Sequence, residues 1–557
     1  MLDNYTIADN FSLISKLMDI QGDNSFKAKS FASAAFTVEK LPIQLQVTPP
    51  EEIAKIKGIG DSISKAIQEM LQTGKFAALE AYLQKTPPGI LEMMKIKGLG
   101  PKKIATIWKE LEAESLGELL YACNENRLTL LKGFGQKTQD AVKQSIEFYF
   151  SNQGRYLYAQ AEALALSLEK EFSQLLAPAA VSLTGQFRRN ENIIDEIEFV
   201  AALPIPLLEE KLSALPTLTA PANTGEAIVW QHEQHIRIKI YPASAEDFNK
   251  VLFTTTASVS FLEHFKASLD LNSIPANATE EAIFTQAGMD YIEPCLRNGG
   301  LAIDLAKKKQ LPVLITHKDI KGIIHSHSTW SDGEHTLLQM ATTAKEQGFE
   351  YLVISDHSRS AFYANGLSIE RIQAQHAEID ALNKQLAPFR IFKSVEADIL
   401  NDGSLDYPDE ILASFDLVIA SVHSNLKMSE EKAMARLLKA IENPYTTILG
   451  HMTGRLLLSR NGYPVNHQQI IDACATHNVV IEINAHPRRL DIDWEWIPYA
   501  LEKNVLLSID PDAHSTDGFH DIYYGTLAAR KGGLTAAHNL SSFSAAELET
   551  FISKKKK

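Results

Sequence analysis

The sequence predicts a multidomain chain: helices first, mixed α+β structure in the middle, and a closing barrel of parallel βα units. Three observations carry this expectation. The 557 residues exceed what one hydrophobic core organises, and at roughly 100–200 residues per domain they divide into several units. In the first 150 residues, apolar positions in "SISKAIQEMLQ" and "KKIATIWKELE" recur near every 3.6 residues, with glycine turns between the helices. After residue 318, seven β-branched or apolar runs alternate with helical stretches such as "EEKAMARLLKAIE", the pattern of parallel βα units.

Composition narrows the function classes. With 45% hydrophobic and 22% charged residues the chain reads as an ordinary soluble protein. "MLDNYTIADNFSLISKLMDI" has no uninterrupted apolar core, so neither a signal peptide nor a membrane partner is expected. Cys123, Cys295 and Cys474 lie far apart and fit reduced thiols in a cytoplasm. A formal charge of −15 argues against holding nucleic acid by bulk electrostatics, but residues 51–110 carry ten lysines against seven acids. The terminal run Lys554 to Lys557 reads as a solvated tail.

Three N-terminal segments share one spelling: "IAKIKGIGDSISKAI", "MMKIKGLGPKKIATI" and "LTLLKGFGQKTQDAV". Each sets a lysine before two glycines and then starts a helix: Lys57, Gly58 and Gly60; Lys97, Gly98 and Gly100; Lys132, Gly133 and Gly135. Paired glycines allow a tight left-handed turn and let backbone N–H groups approach an anion at the helix start. One such corner in isolation is a ligand-free turn. Three copies resemble helix-hairpin-helix motifs, which grip the DNA backbone without reading sequence.

Between about 180 and 300 the runs shorten to "AVSLTG", "IDEIEFVAAL", "EAIVW" and "HIRIKIY", a strand-rich texture. With the hairpins before them and "YIEPCLRNGG" after, residues 5 to about 305 resemble the family X DNA polymerases. The resemblance implies an N-terminal helical DNA-binding domain at 1–90, a fingers-like region at 91–150, a nucleotidyltransferase-like palm at 151–245 and a thumb-like part at 246–310. Residues 311–320, "LPVLITHKDI", read as a linker.

The palm motif departs from the family pattern of Gly-Ser-aromatic-Arg-Arg-Gly followed by Gly-Asp-apolar-Asp. Gly185, Phe187, Arg188 and Arg189 match, but Gln186 and Asn190 replace serine and glycine. Glu196 and Glu198 stand at the metal-binding aspartates, and Arg237 at the third. Two-metal transfer needs ions about 3.5–4 Å apart, and longer side chains with an arginine among them misplace the ligands. Strand alternation then sends Ile197 and Phe199 inward and Glu196 and Glu198 to water. The lysine that family members with lyase activity use falls on Ala66, with Lys65 about 100° round the helix, so no lyase chemistry is expected.

The seven C-terminal runs are "GIIHSH", "YLVISDH", "IFKSVEAD", "LVIASVH", "TILGH", "VVIEINAH" and "VLLSIDPDAH", and thirteen of the 17 histidines follow residue 318. In a closed βα barrel the C-terminal strand ends share one face, where active sites of that architecture lie. His325, His327, Asp332, His357, Glu396, His423, His451, Asp512 and His514 would then converge there. Nitrogen and oxygen ligands without cysteine suit two or three divalent ions of the Mn or Zn kind; Mg would enter only with an active palm.

Over about residues 320 to 540, within a domain set at 321–557, "HSHSTWSDG", "ISDHS", "VEADIL", "ASVHS", "GHMTGR", "EINAHPRRLD" and "DPDAHS" resemble the PHP (polymerase and histidinol phosphatase) family. That implies a distorted (β/α)7 barrel with a trinuclear centre that hydrolyses phosphoesters. His325, His327, Glu396 and Asp512 are then the catalytic core of the ligand set. Ile323 replaces the family's acid two residues before the first histidine. Arg455, Arg488 and Arg489 are candidates to hold phosphate oxygens.

The leading expectation is a monomeric, cytoplasmic, metal-dependent DNA phosphoesterase acting as a 3′-5′ exonuclease on gapped or 3′-end substrates, its polymerase chemistry lost. Two alternatives stand beside it: an active repair polymerase with the barrel as proofreader, and a small-molecule phosphatase of the histidinol-phosphate type.

Overall fold

The computed structural model describes residues 3–124, 127–151, 154–458 and 461–555. The chain divides into two compact units, Met1–Gln153 and Gly154–Lys557.

The first unit is helical throughout its described residues. Its opening helix, Asn4–Gln21, begins where the Asp3 side chain accepts the Thr6 N–H and ends at Gly22, whose left-handed backbone returns its N–H to Asp19 O. Phe11, Phe31 and Phe76 pack with centroids 5.5, 5.7 and 5.9 Å apart, in a core that runs from Ile7 to Leu79. A second core gathers residues from Ile90 to Ile146.

The second unit begins with a five-stranded sheet: β1 (Val181–Thr184), β2 (Glu196–Ala201), β3 (Leu218–Asn223), β4 (Ile228–His232) and β5 (Arg237–Pro242). Its order is β1-β2-β5-β4-β3, with β2 and β5 parallel. Ile197 and Phe199 are fully buried on one face, where Phe172 of helix Tyr158–Leu175 meets Phe199 at 5.0 Å. Short helices follow around Phe253, Phe261, Phe265 and Phe284. There the fully buried Arg297 pairs with Glu280, and its guanidinium lies 5.0 Å from the Phe284 centroid.

The barrel strands are β6 (Gly322–Ser326), β7 (Tyr351–Ile354), β8 (Arg390–Asp398), β9 (Leu417–Ser421), β10 (Ile448–Leu449), β11 (Val480–Asn484) and β12 (Leu507–Asp510). Neighbours pair in parallel in chain order. A bridge between Ser326 and Ala513 closes β12 on β6, and the His327 N–H donates to Ala513 O at 2.8 Å. Burial along these strands is nearly continuous, as expected of strands enclosed on both faces.

Two expectations need correction here. Residues 311–320 do not run as a free linker: Ile315 and Ile320 are buried, and the Ile315 N–H donates to Leu534 O at 2.9 Å. Nor is the tail merely solvated. The Lys555 ammonium donates to His477 O and Asn478 O at the end of helix His467–His477, where a cation opposes the helix dipole; Lys556 and Lys557 lie outside the described residues.

The sheet domain and the barrel are tied by one ion pair and two hydrogen bonds. The Lys531 ammonium, at the end of helix Ile522–Lys531, lies 2.5 Å from Glu191, and Tyr523 and Tyr524 both donate to Glu162. No described helix is long and apolar enough to cross a membrane.

Candidate metal centre

Seven parallel strands deliver their C-terminal ends to one rim, and the candidate ligand residues sit near or just beyond those ends. His325 is the penultimate residue of β6 and His327 follows the strand; His357 follows β7; Glu396 lies near the end of β8; His423 and His451 follow β9 and β10; Asp512 and His514 follow β12. His325 and Asp512 both adopt left-handed backbone, with φ of 62° and 53°. Non-glycine residues rarely adopt that region, and such strain gathers where a site dictates the backbone.

Glu396 occupies the middle. Its Oε1 lies 3.0 Å from both His423 Nε2 and His451 Nε2. Its Oε2 lies 3.0 Å from His357 Nδ1, 3.4 Å from His325 Nε2 and 3.6 Å from His327 Nε2. Asp512 Oδ1 stands 3.1 Å from His327 and 3.5 Å from His325, and Asp332 reaches His357 and His514 at 3.6 and 3.4 Å. Three groups have ligand atoms mutually within 4.8 Å: His327, Asp332, His357 and His514; His325, His327, Glu396 and Asp512; and His357, Glu396 and His423.

These donors fit divalent cations better than they fit one another. One buried carboxylate cannot satisfy five imidazoles by hydrogen bonding alone, and His325 Nε2, His327 Nδ1, His451 Nδ1 and Glu396 Oε2 are buried without a hydrogen-bond partner. Burial works against an ionised Glu396, yet His423, His325 and His357 outweigh it and hold the carboxyl well below its usual range. Burial and the neighbouring His357 and His514 push His327 down to about 3, which leaves a neutral imidazole able to donate a lone pair.

Sequence reading missed the carboxylates behind the ligands. Glu482 Oε2 contacts His325 Nδ1 at 2.5 Å, while its Oε1 accepts the His451 N–H and the Asn484 amide. Asp398 contacts His423 Nδ1 at 2.6 Å. Such partners orient metal-binding imidazoles and raise their basicity. The fully buried Asp356 accepts the Ser328 and Ser331 N–H groups, both their hydroxyls and the Gln375 amide, fixing the loop that carries Asp332. Two signals were legible: Asp398 is two residues from Glu396 and shares its face, and Glu482 interrupts an otherwise apolar strand. Ile323, where the family acid was missing, is buried in the apolar core.

The three arginines differ. Arg455 is committed to Asp493 at 2.5 Å and to the Arg489 and Leu490 carbonyls. Arg489 lies 3.8 Å from Asp512, and Arg488 is exposed.

In the five-stranded sheet the expectation that both glutamates face water fails. Glu198 is buried: its Oε2 accepts the Gln186 N–H at 2.9 Å, and Oε1 accepts the Tyr241 hydroxyl at 3.0 Å. The short helix Gly185–Arg188 folds over this face, and a Cβ on Gly185 would stand 1.6 Å from Glu198 Oε2. Glu196 pairs with Arg237 at 3.5 Å and Lys239 at 3.4 Å. Arg189 donates to Thr256 O and pairs with Glu191.

The glycine hairpins are congruent. Gly58, Gly98 and Gly133 have φ of 94°, 89° and 90°; Ile59, Leu99 and Phe134 are buried; and Lys57, Lys97 and Lys132 are exposed. Gly60, Gly100 and Gly135 precede helices Asp61–Thr73, Pro101–Leu111 and Gln136–Ser151. Ala66 is buried and Lys65 exposed.

Comparison with known proteins agrees with this architecture. A helix-hairpin-helix domain model matches residues 3–76, and a SAM-like helix-hairpin-helix tandem model matches 90–147. The "DNA polymerase/3'-5' exonuclease PolX" of Bacillus subtilis is 32% identical over 97% of both chains. A "Probable phosphatase" of Caldanaerobacter subterraneus is 28% identical over 29% of this chain and 60% of its own length; another from Clostridium novyi is 26% identical over 29% and 63%. Full-length similarity, paired hairpin modules and a histidine-lined barrel together place the chain in the PolX family.

Proposed function

We propose that the chain is a metal-dependent DNA phosphoesterase that removes nucleotides or phosphate from 3′ ends, as a cytoplasmic monomer. The observation that carries this reading is the convergence of five imidazoles on the buried Glu396 carboxylate, with Asp512 and Asp332 completing the donor set. His325, His327, Glu396 and Asp512 would hold the more buried ions; Asp332, His357, His423, His451 and His514 would complete the set, with Mn or Zn as the ions. When bound, the cations supply Lewis acidity to the phosphoryl oxygens and bring the pKa of water toward about 7.

The chain's own residues do the positioning. Glu482 and Asp398 fix the His325 and His423 rings, Asp356 fixes the Asp332 loop, and Arg489, 3.8 Å from Asp512, stands where a phosphate oxygen would enter, with the exposed Arg488 next to it in sequence. Lys57, Lys97 and Lys132 with their glycine turns would hold the DNA backbone.

The altered sheet supports loss of polymerase chemistry. Glu198 is occupied by the Gln186 N–H and Tyr241, and Glu196 by Arg237 and Lys239, so neither presents a free carboxylate to a metal pair. Phosphatase relatives that match the barrel keep a phosphomonoesterase as the second reading. The test is a 5′-labelled oligonucleotide incubated with Mn- or Zn-loaded protein. A ladder shortening from the 3′ end, absent with His325→Ala, is expected; an intact label pattern overturns the reading.

A further inference from the structure

Phe362 is 89% exposed, although it follows His357 by only five residues on the ligand-bearing face of the barrel. Single exposed apolar residues are ordinary, so the setting decides. Here the loop is fixed. The Leu367 N–H returns to His357 O at 2.9 Å, and the Gly366 N–H donates to Ala361 O at 3.1 Å. Ala361, Ala364 and Leu367 are buried, and Arg371 donates to Asn365 O, Gly366 O and Trp330 O. A Cβ on Gly366 would lie 1.9 Å from Ser358 O, so the turn is built around a close backbone approach. A rigid turn thus holds a large ring out in water beside the metal ligands.

The turn carries a cation as well, three residues before the ring. Arg359, also exposed, lays its guanidinium over the Tyr407 ring at 5.6 Å. Five residues reach at most about 18 Å, and the loop's return to His357 shortens that, so the ring lies within a few nucleotides of a phosphate at the metal centre. An isolated ring and a cation offer too little area for a stable protein partner, whereas a base needs only a flat face and a nearby charge for its phosphate.

We propose that Phe362 and Arg359 form a nucleobase subsite. Phe362 stacks on a base near the 3′ end whose phosphate enters the metal centre, and Arg359 pairs with the adjoining backbone phosphate. The inference rests on the proposed hydrolysis of DNA and adds to it: the subsite favours polynucleotides over small phosphate esters, without base preference.

The test compares the full-length protein with Phe362→Ala and Phe362→Trp. Steady-state turnover of a single-stranded oligonucleotide should show KM raised about fivefold to a hundredfold in Phe362→Ala, with kcat within about twofold and KM restored by Phe362→Trp. Glycerol phosphate, which has no ring, should be hydrolysed equally by all three. In parallel, 2-aminopurine near the 3′ end is read by fluorescence with calcium in place of the reactive ions. Quenching is expected with Phe and Trp at this position and not with Ala. Equal quenching in all three proteins overturns the subsite, as does a concentration-dependent dimer that Phe362→Ala abolishes. Quenching that depends on Phe362 in a protein that cleaves no DNA overturns the hydrolytic reading and leaves the subsite standing.

Discussion

Glu482 holds His325 by its Nδ1 at 2.5 Å, which turns Nε2 toward Glu396 and Asp512. Both oxygens of Glu482 accept, since Oε1 also takes the His451 N–H at 3.1 Å. Glutamine has one acceptor where the site needs two. Glu482→Gln should therefore weaken metal affinity about 10- to 100-fold while leaving the fold intact. A chelator-competition titration with circular dichroism checks it; unchanged affinity would show the contact to be incidental.

Lys531 places a buried cation against Glu191, whose side chain is 23% exposed. Burial pulls the ammonium pKa down and Glu191 opposes that shift, so the charge depends on its partner. Glu191→Gln removes the partner and should destabilise the protein by about 3–5 kcal/mol, whereas adding Lys531→Met should recover most of the loss. Thermal unfolding of the two single variants and the double variant measures the coupling. Additive losses would mean that the pair contributes no interaction.

Glu198 predicts a pH dependence. Burial raises its carboxyl pKa by more than the Gln186 N–H and Tyr241 hydroxyl lower it, so the folded state holds this proton more tightly than the unfolded chain. A raised acid pKa costs stability as pH climbs from the ordinary carboxylate range through the folded value, and costs nothing below both. Glu198→Gln removes one of two acceptors at every pH, so the readout is the pH-dependent part: its melting temperature should rise relative to the parent as pH climbs toward neutrality, and that relative gain should vanish on acidification to about pH 4. Melting curves of both proteins across that interval decide; a difference independent of pH would mean that ionisation is not the cause.

What the sequence revealed, and what it hid, divides along one physical line. The nine candidate ligands could be named from the sequence because most stand at or near the end of an apolar run, where the barrel topology alone brings distant residues together. Glu482, a carboxylate within an apolar strand, and Asp398, two residues beyond Glu396, stood out in the sequence, but their role depended on which side chain lay across the barrel. Glu198 was misread because strand alternation tells which face a residue takes, not whether a distant segment covers that face; Gly185–Arg188 covers it here. The 311–320 segment misled in the same way, since its partner Leu534 lies more than two hundred positions downstream.

The hairpins give the last prediction. In the second copy the helix after Gly100 opens with Pro101, Lys102 and Lys103, while the first copy opens with Asp61. An acid in the first turn repels the phosphate that the helix start would attract, and lysines reinforce the attraction. Lys97→Ala should thus weaken DNA binding more than Lys57→Ala does. A lysine that neutralises one phosphate contributes about 0.9 to the slope of log affinity against log salt, so Lys97→Ala should lower that slope by nearly one unit. The loss should be the same on unrelated sequences, because a backbone contact reads no base. Anisotropy titrations of a fluorescent duplex between about 50 and 200 mM salt test both statements. Equal losses from the two lysines would remove the role assigned to Asp61, and a loss confined to one sequence would replace backbone holding with base recognition.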